Sequence, residues 1–235
     1  MKLDILAFGA HPDDVELSCS GVILKNTALG RKVGLIDLTK GELGTRGTPA
    51  IREKEAKASA KILGVLFREN LKMADGFFMN DKKHLLKVIQ KIRQYRPDVV
   101  LANALEDRHP DHGRAAKLIA DACFLSGLVK IITNQNGKSQ EAWRPKAVYH
   151  YIQYRKLKAD IAVDITPFIE KKMESIYAFS SQFYNPDSKE PSTLISQKDF
   201  FEYIKIRERE YGQLIGVEYA EGFNVMQEYR GDVLI

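Results

Sequence analysis

Cysteine is scarce in this chain of 235 residues. The two that occur, Cys19 and Cys123, stand far apart and outside any C-x-x-C pattern. A disulfide framework or a thiolate zinc cluster therefore has little support, because both need paired or clustered cysteines. We expect two buried free thiols instead.

Long apolar runs are also missing. The N-terminal stretch MKLDILAFGAHPDD has a short apolar run that is interrupted by Asp4 and followed by Asp13 and Asp14. A signal peptide or a membrane span needs a longer run without carboxylates. The sequence predicts a cytoplasmic protein with no membrane segment.

Dense basic blocks are absent, although the net charge is +5 and the isoelectric point is near 9. Such a charge is typical of proteins that bind nucleic acid, an anionic membrane surface or an anionic small substrate. Here the lysines and arginines are scattered among acidic residues, as in LFRENLKMADG, and no aromatic set for RNA accompanies them. We expect an ordinary solvated surface and no nucleic-acid partner.

The sequence does contain an alternation of strand and helix patterns. Short apolar runs rich in branched residues predict buried parallel strands at 3–10, 32–39 and 97–104. Helical spacing between and after them predicts helices at 15–29, 51–63, 82–95 and 113–125. Two further strands are expected at 147–153 and 160–165, and helices at Pro167 onward and 197–215. The pattern predicts one α/β domain over 1–235, a Rossmann-like three-layer sandwich with a mostly parallel central sheet.

Polar clusters follow two of the predicted strands. Gly9-Ala10-His11-Pro12-Asp13-Asp14 comes after the first strand, and Glu106-Asp107-Arg108-His109-Pro110-Asp111-His112 comes after the strand through Leu101. Ligands of open α/β sheets bind beyond the carboxyl ends of strands. Imidazole and carboxylate groups are ligands that zinc favours, and a catalytic site uses three of them and leaves one position open. The two clusters therefore predict a metal site.

Spacing alone leaves the ligands undecided among His11, Asp13, Asp14, His109, Asp111 and His112. A simpler alternative is helix capping, by Asp13 or Asp14 before the first helix and by Asp111 before the helix that follows His112. Two such loops at equivalent strand ends favour the metal site over the caps. A dinucleotide site is excluded, because no G-x-G-x-x-G run is present and the acidic first turn would repel a pyrophosphate.

With A-H-P-D-D after the first strand and H-P-D-H after the later one, the chain resembles the LmbE-like, or PIG-L, family of zinc-dependent N-acetylglucosaminyl deacetylases. The resemblance extends to Ser181-Gln182-Phe183 and to Tyr219-Ala220-Glu221-Gly222-Phe223. In length and in these segments the chain looks most like the bacillithiol biosynthesis deacetylases, which act on N-acetylglucosaminyl malate.

The resemblance assigns roles to the two motifs. It implies that His11, Asp14 and His112 bind zinc and that Asp13 is the general base. It further implies that His109 supports the oxyanion and that Asp111 orients it. On chemical grounds we expect a protonated His109, kept cationic by Asp111, to stabilise the developing negative charge. These roles suit amide hydrolysis, which needs activated water, a stabilised oxyanion and a proton for the departing amine.

Three further residues match substrate contacts of the family. Arg52 matches an arginine that contacts the sugar, and Asp75 matches an acceptor for a sugar hydroxyl. The alternative for Arg52 is a solvated position on a charged helix. Arg108 is either a substrate contact or part of a buried structural ion pair. Two departures from the family pattern are Ala74, where relatives often have proline, and Asp107, where some have tyrosine.

The sequence thus predicts a metal-dependent amidohydrolase that removes an acetyl group from an N-acetyl sugar, with N-acetylglucosaminyl L-malate as the expected substrate. A deacetylase of chitobiose or of another N-acetyl sugar conjugate, and a non-catalytic sugar-binding relative, are the alternatives. The expected metal is Zn²⁺, with Fe²⁺ as the alternative. The resemblance also implies a homo-oligomer such as a hexamer.

Overall fold

The computed structural model describes residues 1–226. Its strands are β1 (Ile5–Gly9), β2 (Val33–Thr39), β3 (Arg68–Met73), β4 (Val99–Ala102), β5 (Asn134–Gln135), β6 (Lys138–Ser139), β7 (Ala147–Tyr151), β8 (Ile161–Asp164) and β9 (Ala220–Val225). Its α-helices are α1 (Asp14–Ala28), α2 (Pro49–Leu63), α3 (Lys82–Tyr95), α4 (Pro110–Leu125), α5 (Ile169–Tyr177) and α6 (Phe200–Ile215).

Seven of these strands form the central sheet, in the order β3-β2-β1-β4-β7-β9-β8. The pairs from β3 to β7 are parallel, whereas β9 runs antiparallel to both β7 and β8. Strands β5 and β6 form a separate two-residue hairpin. The predicted α/β sandwich with a mostly parallel sheet is confirmed.

Helices cover both faces of the sheet, because the buried strands are apolar on both sides. Along β1, Leu6 and Phe8 pack into the cluster that contains α3 and α4, while Ile5 and Ala7 pack into the cluster that contains α1 and α5. Strand residues point alternately to opposite faces, so one strand serves two cores. Among the helices of residues 1–226, none combines the length and apolar character that crossing a membrane requires.

Two strands of the central sheet, and the short hairpin of β5 and β6, were not predicted from the sequence. β3 has the sequence RENLKM and lies at one edge of the sheet, where polar side chains face solvent or form ion pairs. β9 contains Glu221, Gly222 and Asn224, which interrupt the run of apolar residues that would indicate a buried strand. Periodicity failed for both because their polar residues are satisfied by tertiary partners. The helix at 82–95 has the predicted bounds, and the last helix begins at Phe200 rather than at residue 197.

A buried ion pair fixes α1, the helix that begins at the first motif. Cys19 has a non-helical φ of −140° and interrupts the helix. The freed N–H groups of Gly21 and Val22 donate to the Glu221 carboxylate at 2.8 and 2.7 Å. Lys172 of α5 donates to the same carboxylate at 2.7 Å, and both charged side chains are fully buried. Because buried charges need partners, this arrangement holds α1 against α5 and β9.

Candidate metal centre

The two motif loops meet at the carboxyl edge of the sheet. In the sheet, β1 lies between β2 and β4. The chain first adds β2 and β3 on one side of β1 and then crosses back to add β4 on the other side. A crevice opens where the strand order reverses in this way. It forms a cavity of about 360 Å³ whose walls include both motif loops together with the loops around Leu43, Asp75 and Gln182.

Asp14 lies between the two histidines that the sequence proposes as ligands. Its Oδ2 is 3.7 Å from His11 Nδ1, and its Oδ1 is 3.1 Å from His112 Nε2. The backbone N–H of His11 also donates to Asp14 Oδ2 at 2.9 Å, because Asp14 opens α1 and its side chain turns back over the loop. The structure therefore brings His11, Asp14 and His112 together.

The other nitrogen of each histidine is held by a carboxylate. His11 Nε2 lies 3.0 Å from Asp75 Oδ1 and 3.4 Å from Asp111 Oδ2, and His112 Nδ1 lies 2.5 Å from Asp107 Oδ2. Histidines that bind metals usually donate their second ring N–H to such a group, which orients the ring. The nitrogens that face Asp14 are then left to bind a cation.

The charges of this cluster fit a divalent cation. Burial alone would lower the pKa of His112, but Asp14 and Asp107 raise it to about 9. Asp14 has a pKa well below its usual range, because His112 and His11 outweigh its burial. A metal that displaces protons from the two imidazoles would take over the positive charge that these carboxylates require. Donor atoms within 4.8 Å of one another also group His11 with His109 and His112, and His11 with Asp75 and Asp111.

Asp13 lies on the cavity wall with Arg52 as its partner. Arg52 Nη2 is 3.0 Å from Asp13 Oδ2, and the guanidinium also donates to the carbonyls of Pro12 and Gly41. Burial raises the pKa of Asp13 to about 7, against the opposing charge of Arg52. Gly41 has a φ of +64°, and a Cβ there would collide with the guanidinium. Arg52 is only 4% exposed, so the alternative of a solvated helical arginine is wrong.

The capping alternative is not what the structure shows. Asp13 occupies the cap position of α1, but its side chain makes no capping hydrogen bond. At α4 the cap is His109, whose Nδ1 accepts from the backbone N–H of Asp111 at 3.2 Å. Since Nδ1 accepts, the proton of a neutral His109 lies on Nε2, which remains a hydrogen-bond donor.

His109 and Asp111 differ from the expectation for them. The Asp111 carboxylate contacts His11 and accepts from the N–H of Gly76 at 2.8 Å, so it orients His11 rather than His109. Burial and the neighbouring His11 and His112 lower the pKa of His109. The geometry therefore favours a neutral His109, whereas the sequence predicted a cation held by Asp111.

The residues proposed for substrate contact have different surroundings. Asp75 is buried, its Oδ1 contacts His11 and its Oδ2 accepts from the N–H of Leu43 at 2.9 Å. Those hydrogen bonds outweigh burial and lower the pKa of Asp75 to about 2. Arg108 is exposed on the cavity wall, with its guanidinium 5.4 Å from the centre of the Tyr154 ring. The alternative of a buried ion pair at Arg108 is wrong.

Sequence reasoning missed two amides that hold Asp14. Asn103 Nδ2 donates to Asp14 Oδ2 at 2.9 Å, and Gln153 Nε2 donates to Asp14 Oδ1 at 3.1 Å. Asn103 Nδ2 also donates to Gln153 Oε1 at 3.0 Å. Asn103 is the first residue after β4 and Gln153 the second after β7, so a polar residue close to the end of each apolar strand was the available signal.

Replacing Gln153 by alanine is expected to weaken metal binding about 10- to 100-fold, the usual effect of losing a group that orients a ligand. The Asp14 carboxylate would lose one of the two amides that fix it. Competition with a chromogenic chelator measures the dissociation constant. Gln213→Ala, at an exposed position on α6, is the matched control. Equal affinity of both variants and the wild type would contradict a role for Gln153 in positioning Asp14.

A parallel sheet with buried imidazole and carboxylate donors at its switch point, beside a further carboxylate in a cavity, defines the class of metal-dependent hydrolases. The family model described as PIG-L, GlcNAc-PI de-N-acetylase, matches residues 6–123, which is about half of the chain and includes both motif loops. The chain belongs to the PIG-L family.

Three relatives show how far the similarity extends. Diacetylchitobiose deacetylase of Thermococcus kodakarensis is 28% identical over 232 residues, covering 93% of this chain and 81% of the relative. A probable N-acetyl-alpha-D-glucosaminyl L-malate deacetylase of Bacillus anthracis is 28% identical over 200 residues, covering 76% of this chain and 81% of the relative. A conserved protein from Thermus thermophilus, known from its crystal structure, is 35% identical in sequence and superposes with a TM-score of 0.86. The superposition covers 99% of this chain and 98% of the Thermus protein.

Proposed function

We propose that this protein is a zinc-dependent deacetylase that hydrolyses the acetamide of N-acetylglucosaminyl L-malate to acetate and the free amine. The observation that carries the proposal is the meeting of His11, Asp14 and His112 in a cavity that also contains Asp13. Family membership and the deacetylase relatives support the reaction class.

His11 Nδ1, the Asp14 carboxylate and His112 Nε2 are the atoms that would hold the metal. Bound zinc supplies a Lewis acid that polarises a carbonyl and acidifies water. Asp75, Asp111 and Asp107 keep the two imidazoles in the orientation that this requires.

Asp13 takes a proton from the attacking water and later returns it to the departing nitrogen. A carboxylate with a pKa near the working pH suits both transfers. Arg52 holds this carboxylate at 3.0 Å from its guanidinium, so the base is fixed against the cavity wall. His109 keeps its Nδ1 on the N–H of Asp111 and offers Nε2–H to the oxygen that becomes negative in the tetrahedral transition state.

The size and charge of the cavity support a sugar conjugate with an anionic group. About 360 Å³ lies within the range of small-molecule sites. Arg46 and Arg52 are buried and bonded to backbone carbonyls, whereas Arg108 is exposed on the wall. An exposed guanidinium is free to pair with a carboxylate through two parallel hydrogen bonds, and this supports Arg108 as the proposed contact of the malate group.

A second candidate substrate is diacetylchitobiose, which the longer of the two alignments with deacetylases favours. It carries no charge, so it makes no use of Arg108. A non-catalytic sugar-binding role is disfavoured, because Asp13 is present beside all three proposed ligands. Fold does not separate substrates within a family, so the choice needs an assay.

The test is amine release from N-acetylglucosaminyl malate and from diacetylchitobiose, measured side by side with protein of known zinc content. A higher kcat/KM for the malate conjugate is expected. A higher value for diacetylchitobiose would replace the proposed substrate by the second candidate. No release from either by fully metallated protein would reject the deacetylase proposal.

Arg108→Ala is expected to raise KM for the malate conjugate about 10- to 100-fold, the effect of losing one charged hydrogen-bonded contact of about 1.5–3 kcal/mol. KM for diacetylchitobiose should change by less than about threefold, since that substrate has no carboxylate for the arginine. Arg209→Ala, exposed on α6 away from the cavity, is the matched control. Equal effects on both substrates would remove the malate contact from the proposal.

Three expectations from the sequence stay predictions. They are a single domain over 1–235, of which 227–235 lie outside the described residues, a cytoplasmic location, and a homo-oligomer such as a hexamer. Light scattering on the purified protein measures the mass of the assembly. Zinc and Fe²⁺ are compared by restoring activity to the metal-free protein with each ion.

A further inference from the structure

A second, smaller cavity of about 60 Å³ adjoins the metal centre. It shares Asp14, His112, Leu17, Arg108 and Ile195 with the main cavity, so these residues lie between the two spaces. The accessible surface of this cavity is mainly apolar. The rest of its wall combines the apolar or aromatic side chains of Tyr154, Phe200, Tyr203 and Ile204 with the polar residues Ser18, Asp107, Gln153 and Arg207. The small cavity thus begins beside the proposed metal ligands and ends among core side chains.

Ser18 contributes an unusual group to this small cavity. The residue is 2% exposed, and among the described residues its Oγ has no hydrogen-bond partner. It lies on α1 one turn after Asp14, on the same side of the helix. A serine without a partner is not needed to hold the fold together, since a buried hydroxyl normally requires one. Its small size leaves the space open instead.

We infer that the small cavity is an acyl pocket that receives the methyl group of the scissile acetamide and limits the length of the acyl chain. The inference rests on the proposed function. An amide at the metal centre directs three groups apart: the sugar nitrogen, the carbonyl oxygen and the acyl carbon chain. The sugar needs the main cavity and the oxygen needs the metal and His109, so the acyl chain requires a third space. The small cavity supplies it next to Asp14 and His112.

The volume sets the length of chain that fits. One water-sized group occupies about 10–15 Å³ by this measure, so 60 Å³ holds about four to six such groups. Acetyl and propionyl chains, with one and two carbons beyond the carbonyl, fit with space to spare, whereas the five carbons of a hexanoyl chain would need the whole cavity up to Phe200 and Ile204. Apolar walls favour a methyl group and disfavour a charged or strongly hydrated one.

The experiment compares kcat/KM for N-acetyl, N-propionyl and N-hexanoyl forms of one glucosaminide in the wild type and three variants. Ser18→Val narrows the pocket without breaking a hydrogen bond, and Ser18→Ala removes the hydroxyl but keeps the space. Ile195→Ala widens the pocket at a half-buried position. Melting temperatures show that each variant is folded, and product inhibition by acetate, propionate and hexanoate gives a readout of binding alone.

In the wild type, kcat/KM for the propionyl form should lie within about tenfold of the value for the acetyl form. For the hexanoyl form kcat/KM should be at least about 100-fold lower, because one methylene that a closed pocket does not accommodate changes kcat/KM by about 10- to 200-fold. Ser18→Val should lower the ratio of kcat/KM for the propionyl form to kcat/KM for the acetyl form at least about tenfold, whereas Ser18→Ala should leave this ratio unchanged. Ile195→Ala should raise the ratio of kcat/KM for the hexanoyl form to that for the acetyl form about tenfold. The same ratios in all folded variants would overturn the acyl pocket and leave the deacetylase proposal intact. No acetate release by metallated wild type would overturn both.

Discussion

Replacing Asp13 by asparagine is expected to lower kcat for deacetylation by about 10²–10⁴-fold, the usual contribution of a general base. Asparagine has the same shape as aspartate but takes no proton at neutral pH. It also tolerates the φ of 117° at this position better than alanine would. Arg52 keeps its contacts with the carbonyls of Pro12 and Gly41, so the cavity wall should persist.

Metal content separates loss of the base from loss of the site. Asp13 is not among the proposed ligands, so the variant should retain zinc in the wild-type ratio, measured by elemental analysis of dialysed protein. Asp199→Asn is the matched control, because Asp199 is exposed and its side chain makes no capping hydrogen bond. An unchanged kcat with zinc retained would remove Asp13 as the base, and loss of zinc would make it a ligand.

Removing the metal is expected to abolish amine release, by at least about 10³-fold, because the Lewis acid contributes several kcal/mol to the transition state. Dialysis against a chelator followed by zinc should restore the rate. The same cycle should lower and then raise the melting temperature, since a ligand that binds the folded state stabilises it. The expected rise in melting temperature follows from the four buried or half-buried carboxylates that surround the two imidazoles. These carboxylates repel one another less when a cation lies between them.

His112→Ala separates the metal effect from general damage by the chelator. This variant should release no amine, and its melting temperature should not rise when zinc is added. His84→Ala, on α3 beyond the cavity walls, should retain both. Full activity of chelated, metal-free wild type would contradict metal dependence. Restoration by Fe²⁺ but not by Zn²⁺ would keep the site and change its metal.

The layered fold followed from local pattern where strands are buried on both faces. β1 and β4 are continuous apolar runs, β2 is apolar apart from the buried Asp37 and the terminal Thr39, and helices with a regular apolar spacing follow these strands. β3 and β9 were missed because Arg68 and Glu221 carry charges that only distant partners neutralise: Glu16 and Asp37 for the arginine, Lys172 for the glutamate. Periodicity cannot show a partner that lies elsewhere in the chain.

The candidate metal centre was likewise predictable from sequence only in part. The two motifs could be proposed as a metal site from sequence, since both follow strands and carry ligand atoms. The family resemblance then singled out His11, Asp14 and His112 among their residues. The roles of Asn103 and Gln153 could not, because an isolated amide in a sequence has many uses and only the fold places these two against Asp14. Asp111 illustrates the converse, since its position in the motif indicated His109 but its carboxylate contacts His11.

The sequence by itself determined which side chains bring chemistry to the site, because loops after parallel strands collect at one edge of the sheet whatever the detailed packing. Tertiary structure decided which nitrogen of each histidine faces Asp14, which carboxylate holds the other, and how Arg52 reaches Asp13 past Gly41. Those contacts join segments far apart in the chain. Their geometry depends on the packed positions of several elements at once, and no local pattern records it.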